Sequence, residues 1–205
     1  MPATACRLYL VAPDPLPADF ATQLRAALAA GDVAALRLAT DDEAVVAEVR
    51  PITRAFDVAL ILDGPPALAA KTGCDGAHVR DVEQAAAARR ALGDLQLGVF
   101  CADSRDAAMR AGEAGADYVA FGPVAPSNDA SNDAGAVEDA ISWWADLMEP
   151  PVVAEGPITA ANCAALVRAG ADFLAPVDGL WNDPAGPAAA VTAIGAAIAA
   201  FAAKS

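Results

Sequence analysis

Eight short apolar runs alternating with helical stretches predict a single compact α/β domain, a TIM (β/α)8 barrel over residues 1–205. Two further observations agree. "GDVAALRLA", "GCDGAHV", "GADYVAFGP" and "GADFLAPV" each place Gly, then Asp, then a strand, as one reused βα unit would. The length, 205 residues, is near the minimum for such a barrel, and no linker or shift in composition marks a second domain. An open doubly wound sheet is the alternative arrangement of the same elements.

The opening run, "RLYLVA" from Arg7, is nearly continuous in apolar residues, as a parallel strand buried on both faces requires. Phe20, Leu24 and Leu28 follow at helical spacing, and Gly31 is expected to close that helix in the left-handed conformation. "VAALRLA" from Val33 is the second strand. Thr40 with Asp41 marks the start of a helix whose inner face carries Val45, Val49 and Ile52. "VALILD" from Val58 and "GAHV" from Gly76 are the third and fourth strands, and Gly73 and Gly93 end the helices that follow them. "LQLGVF" from Leu95 leads to Ser104, a helix-start residue, with Gly115 at the far end.

"YVAFG" from Tyr118 precedes a loop filled with Asn, Asp and Ser, residues 122–135, and then a helix bearing Trp143 and Trp144. Neighbours on a helix cannot share a face, so one tryptophan belongs to the core and the other marks a candidate subunit contact. "VVAE" from Val152 is the seventh strand, Thr159 opens "AANCAALVRAG" with Gly170 at its end, and "FLAPV" from Phe173 is the eighth. The final "AAAVTAIGAAIAAFAA" approaches the length of a membrane span. Val191, Ile194, Ile198 and Phe201 nevertheless form one narrow stripe at helical period, which predicts an amphipathic helix docked on a core.

A formal charge of -14 argues against nucleic acid and against an anionic membrane surface as partners. Cys6, Cys74, Cys101 and Cys163 are far apart, which suits reduced thiols better than a disulfide framework or a zinc site. With no basic segment leading a long apolar stretch at the start, a cytoplasmic protein is expected. The expected partner is a small molecule, and a homodimer stays open.

In such a barrel the chemistry lies at the carboxyl ends of the strands. Asp14, Arg37, Asp63, Arg80, Glu83, Cys101, Asp103, Ser127, Glu155 and Asp178 fall there. Arg37 and Arg80 are the evident cations of an acidic rim, an odd mouth for an anionic substrate unless a divalent metal neutralises part of it. Arg37 reads either as an anion contact or as an interior arginine paired with Asp63 or Glu83. Asp63 and Glu83 read either as metal ligands or as an ordinary salt-bridged pair. His78, the one histidine, lies inside the fourth strand and reads either as structural or as catalytic. Trp181 either covers the pocket or packs the last helix.

"LYLVAPD" at Leu8, "CDGAHVRDVEQAAAARRALG" from Cys74, "GADYVAFGPVAPS" from Gly115 and "PPVVAEGPITAANCAALVRAGADFLAPV" from Pro150 together resemble the thiamine phosphate synthase family, which includes the TenI-type thiazole tautomerases. The resemblance runs nearly end to end. It implies a barrel that joins a hydroxymethylpyrimidine diphosphate to a thiazole phosphate, with Mg²⁺ and cations stabilising the departing pyrophosphate. By the same resemblance Arg37, Ser127 and Gly156 would contact substrate, and Asp63 and Glu83 would hold magnesium.

The chain departs from the family pattern at several of these places. Ala39 and Ala130 stand where lysines are expected, Ala35 where a glutamine, Leu62 where an asparagine and Phe100 where a serine is expected. Pro157 replaces the second of two glycines, removing an N–H from a phosphate cradle. The loop after the sixth strand has no histidine, which disfavours the tautomerase branch. Each lost lysine removes a diphosphate contact worth on the order of 2–4 kcal/mol. The expectation is therefore a divergent family member with weak or lost synthase activity. The alternatives are a non-catalytic barrel that binds or senses a small molecule, and a changed reaction on a non-phosphorylated ligand.

Overall fold

Eight parallel strands pair in chain order and the eighth returns to the first, so the sheet is closed. The computed structural model describes residues 6–123, 130–177 and 179–203. The strands are β1 Arg7–Val11, β2 Val33–Ala39, β3 Ala59–Asp63, β4 Gly76–Val79, β5 Gln96–Phe100, β6 Tyr118–Phe121, β7 Val152–Gly156 and β8 Phe173–Pro176. Between and after them run α1 Phe20–Ala29, α2 Glu43–Ala55, α3 Pro66–Thr72, α4 Ala85–Leu92, α5 Arg105–Glu113, α6 Ala130–Leu147, α7 Cys163–Arg168 and α8 Pro187–Ala202. A 3₁₀ turn, Val82–Gln84, precedes α4. The barrel, not the open sheet, is what the alternating runs build.

Strand alternation sorts the core into two layers. Leu8, Leu10, Leu36, Leu38, Leu60 and Leu62 pack between sheet and helices. Their neighbours Tyr9, Ala35 and Ile61 join Phe100, Tyr118 and Val153 in a separate cluster inside the barrel. With a side-chain period of two, each strand commits one parity to the helices and the other to the lumen.

The internal repeat has a physical cause. Asp75, Asp117 and Asp172 each sit just before an even-numbered strand and reach back to the preceding one. Each carboxylate accepts a backbone N–H, from Leu60, Leu97 and Val152 at 2.8, 2.7 and 2.8 Å. Each aspartate's own N–H donates to the carbonyl of that same residue. The first repeat differs: Asp32 holds the Arg7 side chain at 2.7 Å. These latches fasten the amino ends of the strands, the face that serves stability in such barrels.

Several local expectations need adjusting. Gly73, Gly93, Gly115 and Gly170 have φ between 61° and 98°, as helix-closing glycines should. Gly31 does not join them; a Cβ there would meet Val191 Cγ1 of α8 at 2.8 Å, so close approach is its requirement. In α2 the inner face carries Val46, with Val45 half-buried, beside Val49 and Ile52. The helix is capped by Asp42, whose carboxylate accepts the Ala44 N–H, while Thr40 Oγ1 accepts the Asp42 N–H. Ser104 caps α5 as expected. Thr159 turns the chain through Asn162 before α7 starts at Cys163. On α8, Val191, Ile194 and Ile198 are buried with Ala190, and Phe201 is half-buried. Among the described residues no helix is long and apolar enough to cross a membrane.

Removing one latch should be measurable. Asp172→Ala leaves the Val152 N–H without its partner and should cost about 1–3 kcal/mol in urea unfolding, with Asp172→Asn costing less because its amide oxygen still accepts.

Candidate active site

A cavity of about 510 Å³ opens at the carboxyl ends of the strands, on the β1, β2, β3, β7 and β8 side. Among the described residues its wall carries five charged side chains: Asp14, Arg37, Asp63, Arg80 and Glu155. Three carboxylates against two guanidiniums leave a formal charge of about −1 on the wall.

Arg37 and Glu155 define the floor. Inward parity on β2 and β7 turns both side chains into the lumen, where Arg37 is 2% and Glu155 7% exposed. The guanidinium donates to the carboxylate through both terminal nitrogens, at 2.6 and 2.9 Å, a bidentate charge-assisted pair. Burial alone would pull the Arg37 pKa down, but the Glu155 hydrogen bonds and charge outweigh it and the net shift is upward. Arg37 Nε lies 3.5 Å from the Asp63 carboxylate yet makes no hydrogen bond. Arg80, half-exposed, stands 3.6 Å from Asp63 and 3.7 Å from Glu155, with its guanidinium 5.0 Å over the Phe100 ring. Every cation of the wall is thus already engaged by a carboxylate.

A second polar group lies deeper in the lumen. The Tyr9 and Tyr118 hydroxyls are 2.7 Å apart, and His78 Nδ1 is 3.3 Å from the Tyr118 hydroxyl. Burial pushes both phenols above their ordinary range. Burial, then the nearby charges of Arg37 and Arg80, holds His78 well below 6.5, so the imidazole stays neutral. Burial also pushes the Cys101 thiol up to about 12, which removes it as a thiolate nucleophile.

The residues singled out from sequence separate into groups. Arg37 and Asp63 meet in the cavity wall. Gly156 ends β7 with φ +150°, and its carbonyl accepts the N–H groups of Ile158 and Val177. Glu83 is not part of the wall; its carboxylate pairs with Arg110 of α5 at 2.5 Å. Arg37 therefore pairs with Asp63 and Glu155, not Glu83. Ser127 and Asp178 lie outside the described residues, as do 124–129 of the expected 122–135 loop, whose last six residues instead begin α6. Trp181 lines the cavity and packs on Phe20 of α1 rather than on the last helix, with ring centroids 5.2 Å apart, and donates its indole N–H to the Val11 carbonyl at 2.6 Å. Trp144 is the core tryptophan, and half-buried Trp143 lies under the Arg105 guanidinium. Leu62 belongs to the helix-facing layer and so cannot reach the cavity.

Among the described residues, no three His, Cys, Asp or Glu side chains gather in a group able to hold a metal ion. Asp63 is the sequence-predicted ligand nearest such a role, and two guanidiniums already flank it. Sequence reasoning placed Glu155 at the mouth without its partner and missed the lumenal tyrosines. The available signal was parity: in "RLYLVA" Tyr9 is the inward residue between two helix-facing leucines.

A closed (β/α)8 barrel with an ionic cluster at its carboxyl-end mouth defines a class of small-molecule proteins, most of them enzymes. A model of the thiamine monophosphate synthase family matches residues 8–180, and the chain belongs to that family. A thiamine-phosphate synthase of Rhodospirillum centenum is 49% identical over 197 residues, covering 92% of this chain and 95% of that one. One from Hyphomonas neptunium is 38% identical over 211 residues, covering 95% of each. Among solved structures, thiamine phosphate pyrophosphorylase from Pyrococcus furiosus superposes with a TM-score of 0.79 at 20% identity, covering 97% of this chain and 98% of that one. That likeness carries the fold.

Two measurements test the interior. Arg37→Met strands the Glu155 carboxylate and should cost about 3–5 kcal/mol in urea unfolding, whereas Arg37→Met with Glu155→Leu should recover most of the loss. His78 contributes a pH dependence of known sign. Below 6.5 the unfolded histidine takes a proton that folded His78 refuses, so stability is full above 6.5 and falls as pH drops. From about pH 7 down to 5.5, stability should fall with a slope approaching about 1.4 kcal/mol per pH unit, and His78→Gln should flatten it.

Proposed function

We propose that this chain is a divergent thiamine monophosphate synthase-family protein in which synthase turnover is weak or lost, and whose mouth binds a small molecule without a diphosphate. The observation that carries the reading is the Arg37–Glu155 pair. By family resemblance Arg37 would face a phosphate, yet both of its terminal nitrogens are spent on an internal carboxylate. A diphosphate would have to displace Glu155 from Arg37 and leave that buried carboxylate with half-exposed Arg80, 3.7 Å away, as its remaining cation, a loss of up to about 3–5 kcal/mol.

The charge inventory supports the same reading. Residues 124–129 and 178, which follow β6 and β8 in sequence, contain aspartates and no Lys, Arg or His. Of the two lysines in the chain, Lys71 pairs with Glu43, and Lys204 follows α8. The donor set also suits Mg²⁺ poorly. That ion is usually held by one or two carboxylates plus substrate phosphates. Here Asp63 is flanked by two guanidiniums and Glu83 is engaged by Arg110.

A second reading, retained synthase chemistry, is favoured by the 49% identity to a relative that bears the synthase name. One assay decides. With hydroxymethylpyrimidine diphosphate, thiazole phosphate and Mg²⁺, pyrophosphate release should be at least about a thousandfold slower than for the Rhodospirillum centenum relative assayed alongside. Release at the relative's rate would sink the proposal.

A further inference from the structure

Resting on the reading that the mouth does not take a diphosphate, we infer that the cavity is a site for a small, planar, unphosphorylated organic cation with a neutral hydrogen-bond acceptor beside its charge, held by Asp14 and Trp181. Each part of that description comes from a different group in the wall.

Asp14 accounts for the charge. It lies exposed in the segment after β1, lines the cavity, and makes no hydrogen bond or ion pair among the described residues. Asp63 and Glu155 are offset by the two arginines, so Asp14 is the unit of negative charge left over. An anionic ligand would add a fourth negative group to this wall; a monocation brings it to neutrality.

Arg37 accounts for the acceptor. Arg37 lines the cavity, and its Nε–H is buried 3.5 Å from the Asp63 carboxylate without a hydrogen bond, which costs free energy until an acceptor comes within reach of it. A carboxylate or phosphate at that place would stand against Asp63 and Glu155. A neutral carbonyl would accept the N–H without that repulsion. The buried donor is independent of Asp14, and the two set the polarity of the ligand from opposite ends.

Trp181 accounts for the planar body. Its indole is fixed by the N–H bond to the Val11 carbonyl and by contact with Phe20, and it forms an apolar wall with Val11 and Val177. An immobilised indole offers a face to a flat ring and attracts positive charge through its quadrupole. A cavity of about 510 Å³ lies within the range that encloses small ligands.

Three probes of one shape and different charge test the inference by calorimetric titration at neutral pH: 1-methylnicotinamide, a cation; nicotinamide, neutral; and nicotinate, an anion. The cation should bind at least about tenfold more tightly than nicotinamide, with no detectable binding of nicotinate. Asp14→Asn, an exposed and unpartnered position that leaves the fold intact, should bring the cation and the neutral probe within about threefold of each other. Trp181→Phe, which keeps an aromatic ring against Phe20, should weaken the cation and the neutral probe together. The inference fails if nicotinate binds as well as the cation, if none of the three binds, or if Asp14→Asn leaves the order of affinities unchanged. Inorganic phosphate, titrated in the same way, separates the two proposals. Phosphate binding contradicts the reading of the mouth, whereas silence from both phosphate and the cation contradicts only the inference about the cation.

Discussion

A buried guanidinium must have its charge met, and in this barrel the chain meets it from within. Arg37 and Glu155 come from β2 and β7, which are not neighbours in the sheet, and their side chains join across the lumen. Closing the sheet brings them together; an open sheet with the same strands would hold them apart. Asp63, Arg80 and the Phe100 ring gather around that pair, so the electrostatics of the whole mouth follow from it. A buried pair of this kind is weak support for stability in itself, since two charges have left water to form it. Its consequence is for recognition: both terminal nitrogens of the most deeply buried cation of the mouth already donate to Glu155, which leaves Nε–H as its unpartnered donor.

Beneath the pair, the lumen stays polar without becoming reactive. Tyr9, Tyr118 and His78 form a hydrogen-bonded group in which burial favours the neutral form of every member. None is poised to exchange protons near neutral pH, so the group reads as a neutral polar layer under the cavity, with His78 Nε2 buried and unpartnered among the described residues. The departures from the family pattern make sense against this arrangement. Phe100, where a serine is expected, supplies a ring under Arg80, and Leu62, where an asparagine is expected, joins the helix-facing layer. Each supplies packing where the resemblance implies a polar side chain.

The barrel was legible because eight apolar runs with helical intervals carry strong periodic signals, and the four Gly–Asp–strand repeats mark latches that recur for a structural reason. Finer features were less visible. In "EAVVAEV" two adjacent valines fit the helical period equally well, so Val45 was placed on the face that Val46 occupies. Gly31 looked like the other helix-closing glycines because sequence does not distinguish a left-handed residue from one kept small by a neighbour in α8. At the mouth, Arg37 and Asp63 were legible from strand ends, and Trp181 from its place beyond the last strand. The partner of Arg37 was not, because the pairing of residues 118 positions apart depends on register around a closed sheet. Glu83 shows the opposite failure: its place after the fourth strand suggested the mouth, but the turn at Asp81 carries it to Arg110 instead.

The account depends on Glu155 holding the place that a ligand oxyanion would otherwise take at Arg37. Titrating inorganic pyrophosphate into the protein and into Glu155→Gln tests that most directly. The wild-type protein should give no binding up to millimolar concentration, and Glu155→Gln, which removes the charge while keeping an acceptor, should gain measurable affinity. Micromolar binding of pyrophosphate by the wild-type protein, unchanged in Glu155→Gln, would contradict it.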